Sequence, residues 1–119
     1  GSQTRTFCYI TDAIVGFFKV FCDGVPGEPY NVGNPDPEVS VAKLGEIFQS
    51  QSNRDVVLKK SVYPDSYPQD EPNRRCPDIT KIQKQLQFFP KVNLEVGVSK
   101  FLEWAMVAYD GQQGGSSKL

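Results

Sequence analysis

Histidine is absent from this 119-residue sequence. Its absence removes the commonest general base and, with it, Ser–His and Cys–His nucleophile pairs. Cysteine is scarce. Cys8, Cys22 and Cys76 are odd in number and form no CxxC spacing. They argue for reduced thiols in a cytoplasmic protein, and against a disulfide framework or a zinc site. No run of about twenty apolar residues provides a membrane span, and no basic-then-apolar start marks a signal peptide. There is no basic excess either. The formal net charge is −1, which leaves no nucleic-acid footprint but permits a local basic site. No set of closely spaced glycines follows a strand and opens a helix, as a dinucleotide site requires. No Tyr is followed four places later by Lys. Any chemistry here would fall to carboxylates, Tyr or Lys.

What is present is an ordinary globular balance, 39% hydrophobic and 23% charged, at a length that suits one small domain. Arg5–Ile10 reads as a short strand, and Thr11 or Asp12 is placed to cap a helix. That helix, Ala13–Cys22, carries Ile14, Val15, Phe17, Phe18, Val20 and Phe21. So many apolar residues require cover on nearly every side. Pro29–Gly33 reads as a second strand. Ser40 caps a helix with Val41, Leu44, Ile47 and Phe48 at helical spacing, and Val56, Val57 and Leu58 suggest a third strand over Asp55–Val62. From Ser61 to Pro77 the chain holds four prolines with Tyr63 and Tyr67. The spacing predicts an ordered extended arm there, neither helix nor central strand. Asp78 caps a helix striped with Ile79, Ile82 and Leu86. Asn93 caps a last helix to about Tyr109, with Leu94, Val98, Phe101, Leu102 and Ala105 on one face. Residues 111–119 are rich in Gly, Gln and Ser and read as a flexible tail.

The strongest local chemistry lies in Asn73-Arg74-Arg75-Cys76-Pro77-Asp78-Ile79. Two guanidiniums precede a helix start, and planar guanidiniums match phosphate oxygens. The pattern fits a diphosphate clamp, and equally a solvated arginine pair beside a capping Asp78. Asp36, Glu38, Asp70 and Glu71 read as acids that solvate loops. Arm tyrosines such as Tyr67 are suited either to stack on a nucleobase or to pack on the domain.

Five segments then resemble one family, in its order. Arg5-Thr6-Phe7-Cys8-Tyr9-Ile10-Thr11-Asp12 is similar to the Arg-x-Phe-x-Tyr-Val-x-Asp stretch of extended short-chain dehydrogenases/reductases. Tyr30-Asn31-Val32-Gly33-Asn34 resembles their Tyr-Asn-x-Gly-Asn segment, and Arg75-Cys76-Pro77-Asp78-Ile79 their Arg-x-Pro-Asp-Ile box. Phe88-Phe89-Pro90-Lys91 and Leu94-Glu95-Val96-Gly97-Val98 resemble the family's ending. The nearest flavour is the UDP-glucuronate decarboxylases, with dTDP-glucose dehydratases and UDP-sugar 4-epimerases close behind. The Tyr/Pro-rich arm and Cys76 depart from the decarboxylase pattern.

The resemblance implies a mixed α/β substrate-binding lobe over residues 1–110, with about four helices and two or three short strands. It would lack the Rossmann half, and with it the NAD site and the Tyr-x-x-x-Lys pair. By the same resemblance Arg5 and Arg75 hold the diphosphate of a UDP- or dTDP-linked sugar. Arg74 and Tyr67 are further candidates. The chain alone is expected to be inactive, and to pair with the missing Rossmann domain or self-associate without it. The competing class is a stand-alone binding or scaffold module.

Overall fold

Among the described residues, four helices carry the packing, and a three-stranded sheet of two-residue strands ties them together. The computed structural model describes residues 1–62 and 70–110. In chain order the elements are β1 (Thr4–Arg5), α1 (Ile10–Asp23), β2 (Val39–Ser40), α2 (Val41–Gln51), β3 (Arg74–Arg75), α3 (Thr80–Leu86) and α4 (Leu94–Asp110).

The helices pair off. α1 packs with α3, and α2 with α4. Each pair closes on its own core. Ile79, Ile82, Leu86 and Phe88 form the first, with Val20, Tyr30 and Val32 against them. Ile47, Leu94 and Val98 form the second, with Phe7, Leu44, Phe48 and Leu102 alongside. Two helix starts follow from the local sequence. The Ser40 hydroxyl accepts from the Lys43 N–H at 3.0 Å, and Asn93 Oδ1 accepts from Val96 N–H at 2.9 Å. Each satisfies an amide that the helix leaves free.

α1 is turned the opposite way from an ordinary amphipathic helix. Asp12, Gly16 and Val20, spaced at i, i+4 and i+8, face the protein. The apolar stripe Ile10, Ile14, Phe17, Phe18 and Phe21 faces out, with Phe21 at 86% exposure. The inward face is small for a reason. A Cβ on Gly16 would lie 2.4 Å from Val32 Cγ1 and 3.1 Å from the Phe88 ring, so α1 can sit this close only with glycine there.

The sheet order is β2-β1-β3, with β1 antiparallel to β2 and parallel to β3. The Asn73 carbonyl extends it by accepting from Thr4 N–H at 2.8 Å.

Several expectations are corrected. Of Arg5–Ile10, expected as a short strand or an extended entry to the helix, only Arg5 is in a strand, and α1 begins at Ile10. Pro29–Gly33 is not a strand. Its Asn31 side chain donates to the Asp78 carbonyl at 2.9 Å, and Gly33 is buried where a Cβ would lie 2.9 Å from Pro77. Asp55–Val62 is not a strand either; Gln49 donates to the Val56 carbonyl at 2.7 Å. Within the arm expected to be extended and outside a central strand, Arg74–Arg75 form an edge strand, β3, and residues 63–69 lie outside the described residues. Tyr9 stands at the N-cap of α1 without a side-chain cap bond, and Asp12 lies in the first turn. No described helix is long and apolar enough to cross a membrane.

Candidate functional site

Strand alternation decides how the three arginines are arranged. In the parallel ladder Thr4 is paired with Arg74, and Arg5 with Arg75. Paired residues share a face, and neighbours along a strand take opposite faces. Arg5 and Arg75 therefore stand together on one side of the sheet, and Arg74 stands on the other. The expected Arg74–Arg75 pair is split.

Each face holds one carboxylate. On the first, Arg5 Nη2 donates to Glu71 Oε1 at 2.7 Å, and Arg75 Nη2 donates to Glu71 Oε2 at 3.2 Å. Arg5 is further fixed by its Nη1–H bond to the Thr4 carbonyl at 2.8 Å. On the second face Arg74 grips Glu38 in a fork. Its Nε lies 2.9 and 3.0 Å from the two oxygens, and its Nη2 lies 2.7 Å from Oε2. The Thr4 hydroxyl donates to the same carboxylate. The hydrogen bonds from Arg74, then that from Thr4, hold the Glu38 carboxyl below its usual range.

Glu38 and Glu71 were read as loop-solvating acids, and both are ion-paired to the arginines instead. A partial signal existed for Glu71, which lies four residues before Arg75. Glu38 is 36 residues from Arg74, and only the sheet brings them together.

Beside the first face opens a groove of about 680 Å³. Arg5, Thr6 and Cys8 form one wall, Val32 and Gly33 another, and Arg74 to Pro77 a third, so all three arginines line it. Cys76 donates to the Pro35 carbonyl at 3.6 Å, which joins the Tyr30–Pro35 segment to the link after β3. The helix start expected directly after the arginines lies five residues past Arg75. α3 begins only at Thr80, and the Thr80 N–H is taken by Asp78 Oδ1 at 2.8 Å. Tyr67 lies outside the described residues.

No strand–glycine turn–helix occurs among the described residues. The links Thr6–Tyr9 and Cys76–Ile79 contain no glycine, and α2 follows β2 directly.

No family model matches the chain. Individual relatives do. A UDP-N-acetyl-alpha-D-glucosaminuronate decarboxylase of Bacillus cytotoxicus is 33% identical over 108 residues, which are 87% of this chain and 33% of the relative. UDP-glucuronic acid decarboxylase 5 of Arabidopsis thaliana is 36% identical over 98 residues, 82% of this chain and 27% of the relative. Over most of its length, the chain is a homologue of these nucleotide-sugar decarboxylases. It spans about a third or less of the relatives' own length. Solved structures agree. A UDP-glucuronic acid 4-epimerase from Bacillus cereus, in complex with UDP-glucuronic acid and NAD, superposes with a TM-score of 0.75 at 27% identity. The match covers 92% of this chain and 34% of that one. The enzyme WbmF of Bordetella bronchiseptica, in complex with NAD+ and UDP, gives 0.74 at 26% identity, over 94% of this chain and 33% of the other. The mixed α/β lobe implied by the motifs is thus the fold observed.

Proposed function

We propose that this chain is the substrate-binding part of an NAD-dependent nucleotide-sugar epimerase, dehydratase or decarboxylase. In this reading Arg5 and Arg75 hold the diphosphate of a UDP- or dTDP-linked sugar. The observation that carries it is the sheet register, which sets the two guanidiniums side by side at the mouth of an open groove. Guanidinium forks bind phosphate oxygens with charge-assisted hydrogen bonds. The relatives in whose complexes UDP-glucuronic acid or UDP is present supply the ligand class. Arg74 also lines the groove and remains a further candidate, with its guanidinium engaged by Glu38. Redox chemistry with NAD, and the residues that perform it, are assigned to a longer parent protein. Cys8, Cys22 and Cys76 are free thiols, which suits a reducing compartment such as the cytoplasm.

Arg5→Ala and Arg75→Ala in the parent protein are each expected to weaken UDP-sugar binding about 10- to 100-fold, the equivalent of about 1.5–3 kcal/mol for a charge-assisted contact. Isothermal titration with UDP and dTDP sugars measures this. Unchanged affinity in both variants would remove the assignment.

The outward stripe of α1 is assigned to the same parent, as the surface on which the missing half packs. Exposed apolar patches of this kind mark interaction surfaces. The stripe also argues against the stand-alone module, which would leave Phe17, Phe18 and Phe21 in water. Replacing Phe17 and Phe21 together by Ser is expected to leave the melting temperature of the chain within about 5 °C of the original, since surface changes alter stability little. The same double variant should lose association with the separately expressed remainder of the parent, read by analytical ultracentrifugation. Retained association would sink the assignment.

A further inference from the structure

The two guanidiniums of the groove already hold an anion, and it belongs to the chain itself. We infer that Glu71 is a resident counter-ion of the Arg5–Arg75 face, an intramolecular competitor that an anionic ligand must displace. The inference rests on the functional reading above and adds a residue that sets the affinity of that site.

The geometry is that of substitution. Glu71 offers one oxygen to each arginine, at 2.7 Å to Arg5 and 3.2 Å to Arg75. Two phosphate oxygens bridging the same pair would use the same two donors. A carboxylate and a phosphate cannot share them without repulsion between like charges at close range.

The hold is also uneven. The Arg5 side chain is 18% exposed and braced by the Thr4 carbonyl, whereas that of Arg75 is 60% exposed and makes the longer contact. Arg75 can therefore leave the carboxylate first, while Arg5 stays in place as the fixed half of the site. The Arg75–Glu71 contact, exposed on its arginine side, contributes little net stability, so exchanging one anion for another is feasible there.

Glu38 shows what a structural pair looks like in the same sheet. Both its oxygens take bonds from Arg74, and Thr4 adds another, all from residues the ladder fixes. Glu71 takes one bond on each oxygen and is gripped by no fork. Its bonds go to the two groove arginines, and it lies two residues before Asn73, whose carbonyl receives the Thr4 N–H. With Glu71 in place the face carries two positive charges and one negative. With Glu71 displaced, both positive charges are available to a diphosphate.

The test uses the 119-residue chain with inorganic pyrophosphate and UDP as probes, followed by calorimetry or amide chemical shifts. Glu71→Gln keeps the shape and one acceptor but removes the charge. It is expected to tighten binding of both probes about 2- to 10-fold, the range open to a part-exposed ion pair. It should also steepen the salt dependence, because one more net positive charge faces the ligand. Glu38→Gln, on the opposite face, should change affinity less than about twofold. Binding by Glu71→Gln alone, with none by the parent sequence, is the expected result in its strongest form. Unchanged or weaker binding in Glu71→Gln overturns the inference. Arg75→Ala separates the two readings. If it weakens binding while Glu71→Gln fails to tighten it, only the role of Glu71 falls. If neither variant alters binding, or neither probe binds any form, the functional reading falls as well.

Discussion

Replacing Phe88 by Ala is expected to destabilise the chain by about 3–5 kcal/mol, the range for emptying a fully buried phenyl site. Phe88 is 0% exposed and packs with Ile79, Ile82 and Leu86. Its ring also lies against the position where Gly16 lacks a Cβ, so it holds α1 to α3. The neighbours cannot collapse into the gap easily, because α1 approaches through a glycine and has no inward side chain there to move. Domains are stable by only about 5–15 kcal/mol in total, so much of this chain's stability depends on one ring. Urea denaturation followed by circular dichroism measures the loss. A change below about 1 kcal/mol would show that this half of the chain is not packed as described. Phe88→Leu, which refills most of the volume, should recover the greater part.

The second large effect is expected at Asp12. This carboxylate is 8% exposed, and its Oδ2 accepts from the Lys91 and Val92 N–H groups at 2.9 and 2.8 Å. It ties the first turn of α1 to the segment leading into α4, and so joins the two halves of the core. Asp12→Ala removes both bonds and leaves two amides without their acceptor, for a loss of about 3 kcal/mol or more. Asp12→Asn should lose far less, about 1 kcal/mol, because both bonds go to a single oxygen that the amide oxygen can replace. Equal losses in the two variants would refute the hydrogen-bond account. Cys8 offers an independent readout. Burial, and secondly the charge of Asp12, push its thiol above the ordinary value. Removing that charge should bring the thiol down and speed its reaction with a disulfide reagent at fixed pH.

Both residues were visible in the sequence, but not in these roles. Phe88 stands in the motif that resembles the family's ending, and Asp12 is a candidate cap. A cap is decided within four residues, whereas the partners of Asp12 lie 79 and 80 residues away. The helices that were legible are those decided locally. α2 starts at Ser40 because a hydroxyl meets an amide three residues on, and its stripe of Leu44, Ile47 and Phe48 is in the second core. α4 starts at Asn93 for the same reason. The strands were misplaced because the apolar runs at Pro29–Gly33 and Asp55–Val62 suggested pairing. The real sheet consists of Thr-Arg, Val-Ser and Arg-Arg, and two residues carry no periodicity to read.

The candidate site divides the same way. Arg5 and Arg75 were legible through motif resemblance, since each stands within a spaced pattern of its own. Glu71 and Glu38 were not, because an acid in a loop carries no mark of the base it will meet. The sequence by itself determined the motif resemblance, the helical stripes, two caps and the absence of histidine chemistry, all properties of residue identity and short spacing. The tertiary structure alone decided which arginines share a face, which carboxylate each one holds, and that α1 turns its apolar stripe outward. The physical reason is one of range. Helix periodicity acts over three or four residues, while the parallel register of β1 and β3 couples positions seventy apart and assigns every side chain there to one face or the other.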